Sequence, residues 1–416
     1  MKVARTLAKT LFFICLILDI AVFTSLIYLN YNIGREFKIK KGDTFNIGTR
    51  LPVTAIYNGI KLSESSIHEL EDKFDVDLKM FGIIPFSTVN VQVVDELQVA
   101  VLGNPFGMKI YTEGLLVIDL TDVQTENGPV NPAKDAGIKK GDYIVSVDDQ
   151  KITTNEDLMR IVEQSNGNEM NFNIVRGKKK LSFKLRAVIS TETGSYKVGV
   201  WVRDSSAGIG TLTFYSPSAN ILCGLGHGVC DEDTGSILQL DSGEIVEAEI
   251  YDVERGIAGC PGQLVGKFTD KTIGTIKYNC SSGVYSTPIE EIEYSSLTEV
   301  ALKSEIKNGD AQIYCTVNGT EPDYYSCKVS IKANHFSSKI QNMIVTVTDS
   351  RLLEVSGGIV QGLSGSPILQ NGKLIGAITH VLVDDPTMGY AIFAEKMLET
   401  AKSVANGQVK VLKKAS

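Results

Sequence analysis

The sequence predicts a mainly β chain: an apolar N-terminal helix, a strand-rich middle carrying two helices, and an all-β body closed by a terminal helix. Three observations carry this. Leu11 to Leu29 is a largely apolar run interrupted by a single charge, Asp19, and long enough to cross a bilayer's hydrocarbon core. From Thr211 to Ile392, short apolar runs alternate with turn signals such as Ala258-Gly259-Cys260-Pro261-Gly262, the pattern of an all-β body rather than strand–helix units. Near the end, Asn371-Gly372 separates Pro367-Ile368-Leu369-Gln370 from Lys373-Leu374-Ile375-Gly376, the strongest short-range signal for a two-residue hairpin.

Taken in order, Lys2, Arg5 and Lys9 precede the apolar run; such charges stay cytoplasmic, and no small-x-small cleavage site follows, so residues 1–32 read as a cytoplasmic tail and uncleaved signal anchor with the remainder outside the cytoplasm. Residues 33–96 read as a juxtamembrane region, with a basic run from Arg35 to Lys41, a helical pattern from Glu64 to Lys73 and a strand from Ser87 to Val94. In 97–190, strands are expected at Leu97 to Leu102, Leu115 to Asp119, Lys140 to Val147, Met170 to Arg176 and Lys180 to Ala187. Helices are expected at Pro132 to Gly137 and Thr154 to Gln164. Residues 191–416 form the body, with Trp201 expected in a core and a terminal helix at Phe393 to Val404. A chain of 416 residues sustains two or three domains with real cores. Its net charge of −8 and pI near 5.3 exclude a general nucleic-acid-binding surface; the one basic cluster, Arg176 to Lys180, reads as a solvated hairpin turn.

The chemistry-bearing stretch is Gly362-Leu363-Ser364-Gly365-Ser366-Pro367. A serine nucleophile needs an exposed Oγ, and its own N–H and that of the residue two before it can converge on a developing oxyanion; here the donors are Ser364 and Gly362. Of four histidines, His227 is framed by Gly226 and Gly228 at the end of a strand-like run, a mount suited to a general base. Asp349 closes the run Met343 to Thr348 and is the candidate to orient the imidazole, with Asp231, Asp233, Asp241, Asp252 and Asp270 as competitors. Cys223 and Cys230 bracket His227, leaving zinc ligation, disulfides and free thiols open for the six cysteines of the body. No cofactor or metal is called for.

Leu225-Gly226-His227-Gly228, Thr348-Asp349 with Arg351-Leu352-Leu353-Glu354, and Gly357-Gly358-Ile359-Val360-Gln361-Gly362-Leu363-Ser364-Gly365-Ser366-Pro367 resemble the SpoIVB family of serine peptidases, as does Ile375-Gly376-Ala377-Ile378-Thr379-His380-Val381. The resemblance places the family's histidine, aspartate and serine on His227, Asp349 and Ser364, and implies a trypsin-like double β-barrel. It puts Thr379 and His380 on a substrate-lining strand. Ala136-Gly137-Ile138-Lys139-Lys140-Gly141-Asp142 resembles a PDZ domain; the resemblance implies a peptide-accepting loop at Asn104, Phe106 and Gly107, with a ligand from the same chain as one option. For the whole chain it implies a serine endopeptidase of endospore formation, anchored in the forespore membrane and facing or released into the space between the forespore membranes. Such an enzyme cleaves itself and a regulatory subunit of a membrane-embedded protease complex that activates a mother-cell sigma factor. A catalytically inactive, membrane-tethered PDZ scaffold is the alternative.

Overall fold

The computed structural model describes residues 2–41, 47, 49, 51–62, 72–95, 97–332 and 341–408. Helix α1 (Lys2–Asn32) contains the apolar run and leads into a five-stranded sheet: β1 (Glu36–Lys40), β2 (Val53–Tyr57), β3 (Ile60–Lys61), β4 (Lys73–Met80) and β5 (Ile84–Val94), in the order β1-β5-β4-β2-β3. Alternation along β4 turns Phe74, Val76 and Leu78 inward onto Val89 and Val91 of β5. The helical pattern at Glu64 falls outside the described residues as far as 71, and Lys73 opens β4 instead.

After β6 (Gln98–Val101) comes β7 (Pro105–Leu120), whose second half begins the middle domain. There follow β8 (Val123–Thr125), β9 (Gly128–Val130), α2 (Pro132–Ala136), β10 (Tyr143–Val147), β11 (Gln150–Lys151), α3 (Asn155–Gln164), β12 (Glu169–Arg176), β13 (Lys179–Arg186), β14 (Val188–Ile189) and β15 (Tyr196–Lys197). Both expected helices are present and capped: Asn131 accepts from Lys134 N–H at α2, and Thr154 forms a capping box with Asp157 at α3. Ala133, Leu158, Ile161 and Val162 from the helices, with Ile138 just after α2, close over Leu115, Val117, Ile144, Phe172 and Ile174 of the sheet.

The body begins with β16 (Val200–Ser216), then β17 (Ile221–Gly224), β18 (Leu240–Glu254), β19 (Gln263–Cys280), β20 (Gly283–Pro288) and β21 (Thr298–Glu299). The first half of β7 pairs with β16 on one edge and β18 on the other; β16 pairs with β17, β17 with β20, β20 with β19 and β19 with β18, so the pairings return to β7. A closed six-stranded barrel follows, β22 (Gly309–Cys315), β23 (Asp323–Ile331), β24 (Met343–Val347), β25 (Pro367–Gln370), β26 (Lys373–Leu382) and β27 (Asp385–Phe393), with α4 (Ser350–Ser356) between β24 and β25 and α5 (Ala394–Ala405) after β27. The expected hairpin forms, with Asn371 and Gly372 both at positive φ (52° and 78°). Two expectations need correction. Trp201 is 60% exposed, because its strand lies on the surface of the middle domain rather than in a core. The expected strand at Leu115 is the end of a 16-residue one, since β7 gains partners on both edges from the body.

Candidate active site

The serine turn lies where the two lobes of the body meet. Thr211 of β16 donates its N–H to Ser364 O (2.9 Å) and its hydroxyl to Gly362 O (2.8 Å), while Thr213 Oγ donates to Gly365 O (2.7 Å). Gly365 N–H bonds back to Ile378 O of β26 at 2.8 Å. Only glycine fits at 365: a Cβ there would stand 2.0 Å from Thr211 O, at a φ of +96°. Ser366, the neighbouring serine, is buried and donates to Leu363 O, which leaves Ser364 as the hydroxyl the turn presents.

Ser364 Oγ donates to Thr379 O at 2.6 Å. Neither the Gly362 nor the Ser364 N–H has an acceptor among the described residues, and Gly362 takes a φ of +96°. Two unused donors beside a serine hydroxyl are what an oxyanion site requires.

β17 delivers His227 to the same place through a strained link. Leu225 and Gly226 are both left-handed, at φ 67° and 68°, a conformation that costs a non-glycine residue ~1 kcal/mol or more and persists where packing over-determines it; Leu225 is buried. The imidazole packs on that of His380, ring centroids 4.5 Å apart and planes at 36°. Its Nδ1 lies 2.9 Å from Gly228 O. A carbonyl can only accept, so this contact fixes the proton on Nδ1 and leaves Nε2 as the free base. Burial, and then His380, push the His227 pKa down to about 4, against a smaller upward pull from Gly228 O. His380, more exposed, is lowered by burial alone.

Asp349 is placed elsewhere. It caps α4, accepting from Arg351 N–H (3.0 Å) and Ser326 N–H (3.1 Å), and pairs with the Arg351 guanidinium (3.2 Å). Those hydrogen bonds, Arg351 first, hold its carboxyl below the usual range. Among the described residues no hydrogen bond joins His227 to Asp349, to Ser364 or to any carboxylate. Asp231, four residues beyond the imidazole, is buried but paired with Arg203 and Thr234 N–H. The seven cysteines are all free thiols; burial raises Cys315 and Cys327 to about 12 and Cys223 well above its usual value.

The loop expected to accept a peptide cannot do so as an edge. Phe106 is fully buried, Phe106 and Gly107 pair with β16 on one side and β18 on the other, and Asn104 Nδ2 is held by Thr320 O. Instead, Val200 to Arg203 pair with Leu116 to Leu120 along one edge, and their other edge has no strand partner among the described residues. This segment runs beside α3, with Tyr196 N–H on Glu163 near the helix end (2.9 Å) and Asp204 on Asn155 N–H at its start (3.3 Å). Asn155 Oδ1 is buried without a partner. Sequence reasoning missed this edge because the segment was assigned to the body, with Trp201 in its core.

Comparison with known families matches residues 194–398 to the SpoIVB peptidase S55 family and residues 107–186 to the PDZ domain. No curated protein matches the chain. Among solved structures, the PDZ domain of an SdrC-like protein from Listeria monocytogenes aligns at 18% identity over 22% of this chain and 87% of that one, with a TM-score of 0.18. The chain contains a PDZ domain followed by a SpoIVB peptidase S55 domain, a composition consistent with the SpoIVB peptidase family.

Proposed function

We propose that the chain is a serine endopeptidase with Ser364 as nucleophile, His227 as general base and the Gly362 and Ser364 N–H groups as oxyanion donors. Family membership supports peptidase function; the observation that carries the residue assignment is the pair of unused N–H donors beside the Ser364 hydroxyl. Rotation of the Ser364 side chain exchanges the Thr379 carbonyl for Nε2 of His227. The imidazole then takes the hydroxyl proton as Oγ attacks a peptide carbonyl, the two N–H groups receive the oxyanion, and the protonated ring returns its proton to the leaving amine. Water repeats the sequence on the acyl-enzyme. We read the circuit of pairings through β7 as the second barrel of a trypsin-like body, with the catalytic groups contributed from both lobes. In this reading Asp349 acts on the site through α4, whose end leads directly into the serine turn, and Gly228 O orients the base.

The family's setting suggests sporulation signalling. On that ground we place the enzyme in the forespore membrane through α1, with self-cleavage and cleavage of a regulatory subunit of an intramembrane protease complex as its reactions. Its PDZ domain takes an extended peptide along the free edge at Val200 to Arg203, beside α3. A second reading has one observation in its favour: with Ser364 Oγ turned to Thr379 O and no carboxylate on His227, the resting site is unassembled, as an inactive scaffold would have it. A fluorophosphonate probe separates the two. The enzyme is expected to label at Ser364, to lose labelling in Ser364→Ala and His227→Ala, and to keep it in Ser366→Ala; wild type that stays unlabelled while folded is the scaffold.

A further inference from the structure

The turn joining β4 to β5 is apolar where hairpin tips are ordinarily polar. It reads Phe81-Gly82-Ile83, with Ile84 opening β5; Phe81 is 54% and Ile83 79% exposed. Phe81 is also left-handed, at φ 54°, a position that favours asparagine or glycine. Exposure and strain are two costs that packing among the described residues does not offset.

The register shows which way this tip points. β1 runs parallel to β5 with Glu36 beside Asn90, and Asn90 N–H bonds to Arg35 O. The residues of β5 before Asn90 therefore extend back past the start of β1, towards α1, with which β5 is in contact. Ile33, just after the helix, and Phe86 of β5 pack against the same core, and Leu29 is buried. Ile83 lies seven residues before Asn90, about 23 Å at the rise of a strand, a distance that covers the link and the last turns of α1. Those turns expose Tyr28 and Tyr31, the residue type that collects at membrane–water boundaries. Lys79 flanks the tip on β4.

We propose that the Phe81–Ile84 tip inserts into the headgroup–acyl boundary of the bilayer, giving the sheet a second hold on the membrane beside α1. This rests on the reading of α1 as an anchor. The test uses the full chain in phosphatidylcholine–phosphatidylglycerol vesicles, with Trp201→Phe removing the one tryptophan and Ile83→Trp or Phe81→Trp introducing a probe. The indole is expected to shift to the blue and to be quenched by lipids brominated near the headgroup end of the acyl chain, more than by lipids brominated deep in it. Ile60→Trp, at the opposite end of the sheet because β2 runs antiparallel to β4, is expected to stay water-like. Unquenched probes at both 81 and 83, or equal quenching at 60, overturn the proposal. Alkaline carbonate extraction reports on the anchor separately: a chain that resists extraction with an unquenched tip keeps the anchor and discards the tip, and a chain that is stripped off but quenched beforehand keeps the tip and discards the anchor.

Discussion

At the scale of single residues, the base and its supports make distinguishable predictions. A His227 pKa near 4 rather than 6.5 means the unfolded chain binds the extra proton between those values. The group's cost to stability is therefore absent above about pH 6.5 and grows as pH falls towards 4. With His227 as the proposed base, it places the acid limb of kcat/KM near the lower value. His380→Phe keeps a ring against the imidazole and removes the second titrating group; because burial is the larger cause, the limb is expected to rise only part of the way to 6.5, and a pH–rate profile unchanged by the substitution contradicts the pairing. Asp349 separates by a different comparison. Asparagine caps a helix as well as aspartate does, whereas a carboxylate that orients a catalytic imidazole loses about 10⁴-fold in kcat when made an amide. With the capping role seen here, Asp349→Asn is expected to retain most activity and Asp349→Ala to lose ~1 kcal/mol of stability. A collapse of kcat in a folded Asp349→Asn protein restores the orienting role implied by family resemblance. The serine turn was legible in the sequence because a turn of glycines around a serine is local chemistry. The partners of Asp349 were not, because Ser326 reaches it from 23 residues away.

At the scale of elements, β16 connects the PDZ domain to the serine turn in one strand. Its first residues lie along α3 and its Thr211 and Thr213 hold the carbonyls of residues 362, 364 and 365. Thr211→Val keeps the shape and the backbone bond but leaves Gly362 O without its hydroxyl donor. An unmet buried carbonyl costs ~1–3 kcal/mol, and this half-buried one about the lower figure; the denaturation midpoint is expected to fall, and fluorophosphonate labelling of Ser364 to slow by up to about tenfold if ~1.4 kcal/mol falls on the reactive turn. Labelling at the wild-type rate in a destabilised protein separates the strand from the site. The short, capped helices α2 and α3 were readable from their sequence signals. α4 was not read, although an aspartate N-cap and Gly357 at its end mark it, because Asp349 was assigned to the imidazole. The 15- to 18-residue strands β18 and β19 were also missed, since their length comes from pairing with each other and not from any local pattern.

For the whole molecule, module order was legible, from apolar helix through the PDZ-like run to the serine-centred body, whereas the contacts between modules were not. β7 belongs to both the middle domain and the body, a sharing that only nonlocal pairing decides. The basic run after the helix, expected as part of a juxtamembrane region, is docked on the body by charge. Lys38 pairs with Glu395 (3.3 Å) and Glu399 of α5, and Lys40 with Glu299 and Glu305 (2.7 Å). Lys373 closes the cluster on the same two carboxylates, at 2.9 and 2.7 Å. Burial pushes the Glu299 and Glu305 carboxyls up, but hydrogen bonds from Lys40 and Lys373 outweigh it and leave both lowered. Their contribution to stability is therefore present above the usual carboxylate range and lost as pH falls through the lowered values. Lys40 is more enclosed than Glu299, Glu305 or Lys373, and removing one partner of a buried pair costs about 3 kcal/mol, reduced here because Lys373 remains. Lys40→Met is accordingly expected to lower the unfolding midpoint at pH 7 and to lose that deficit progressively as pH falls through the lowered carboxyl values and the glutamates become protonated. A deficit that does not shrink with acidification assigns the role of Lys40 to packing of its stem rather than to its charge.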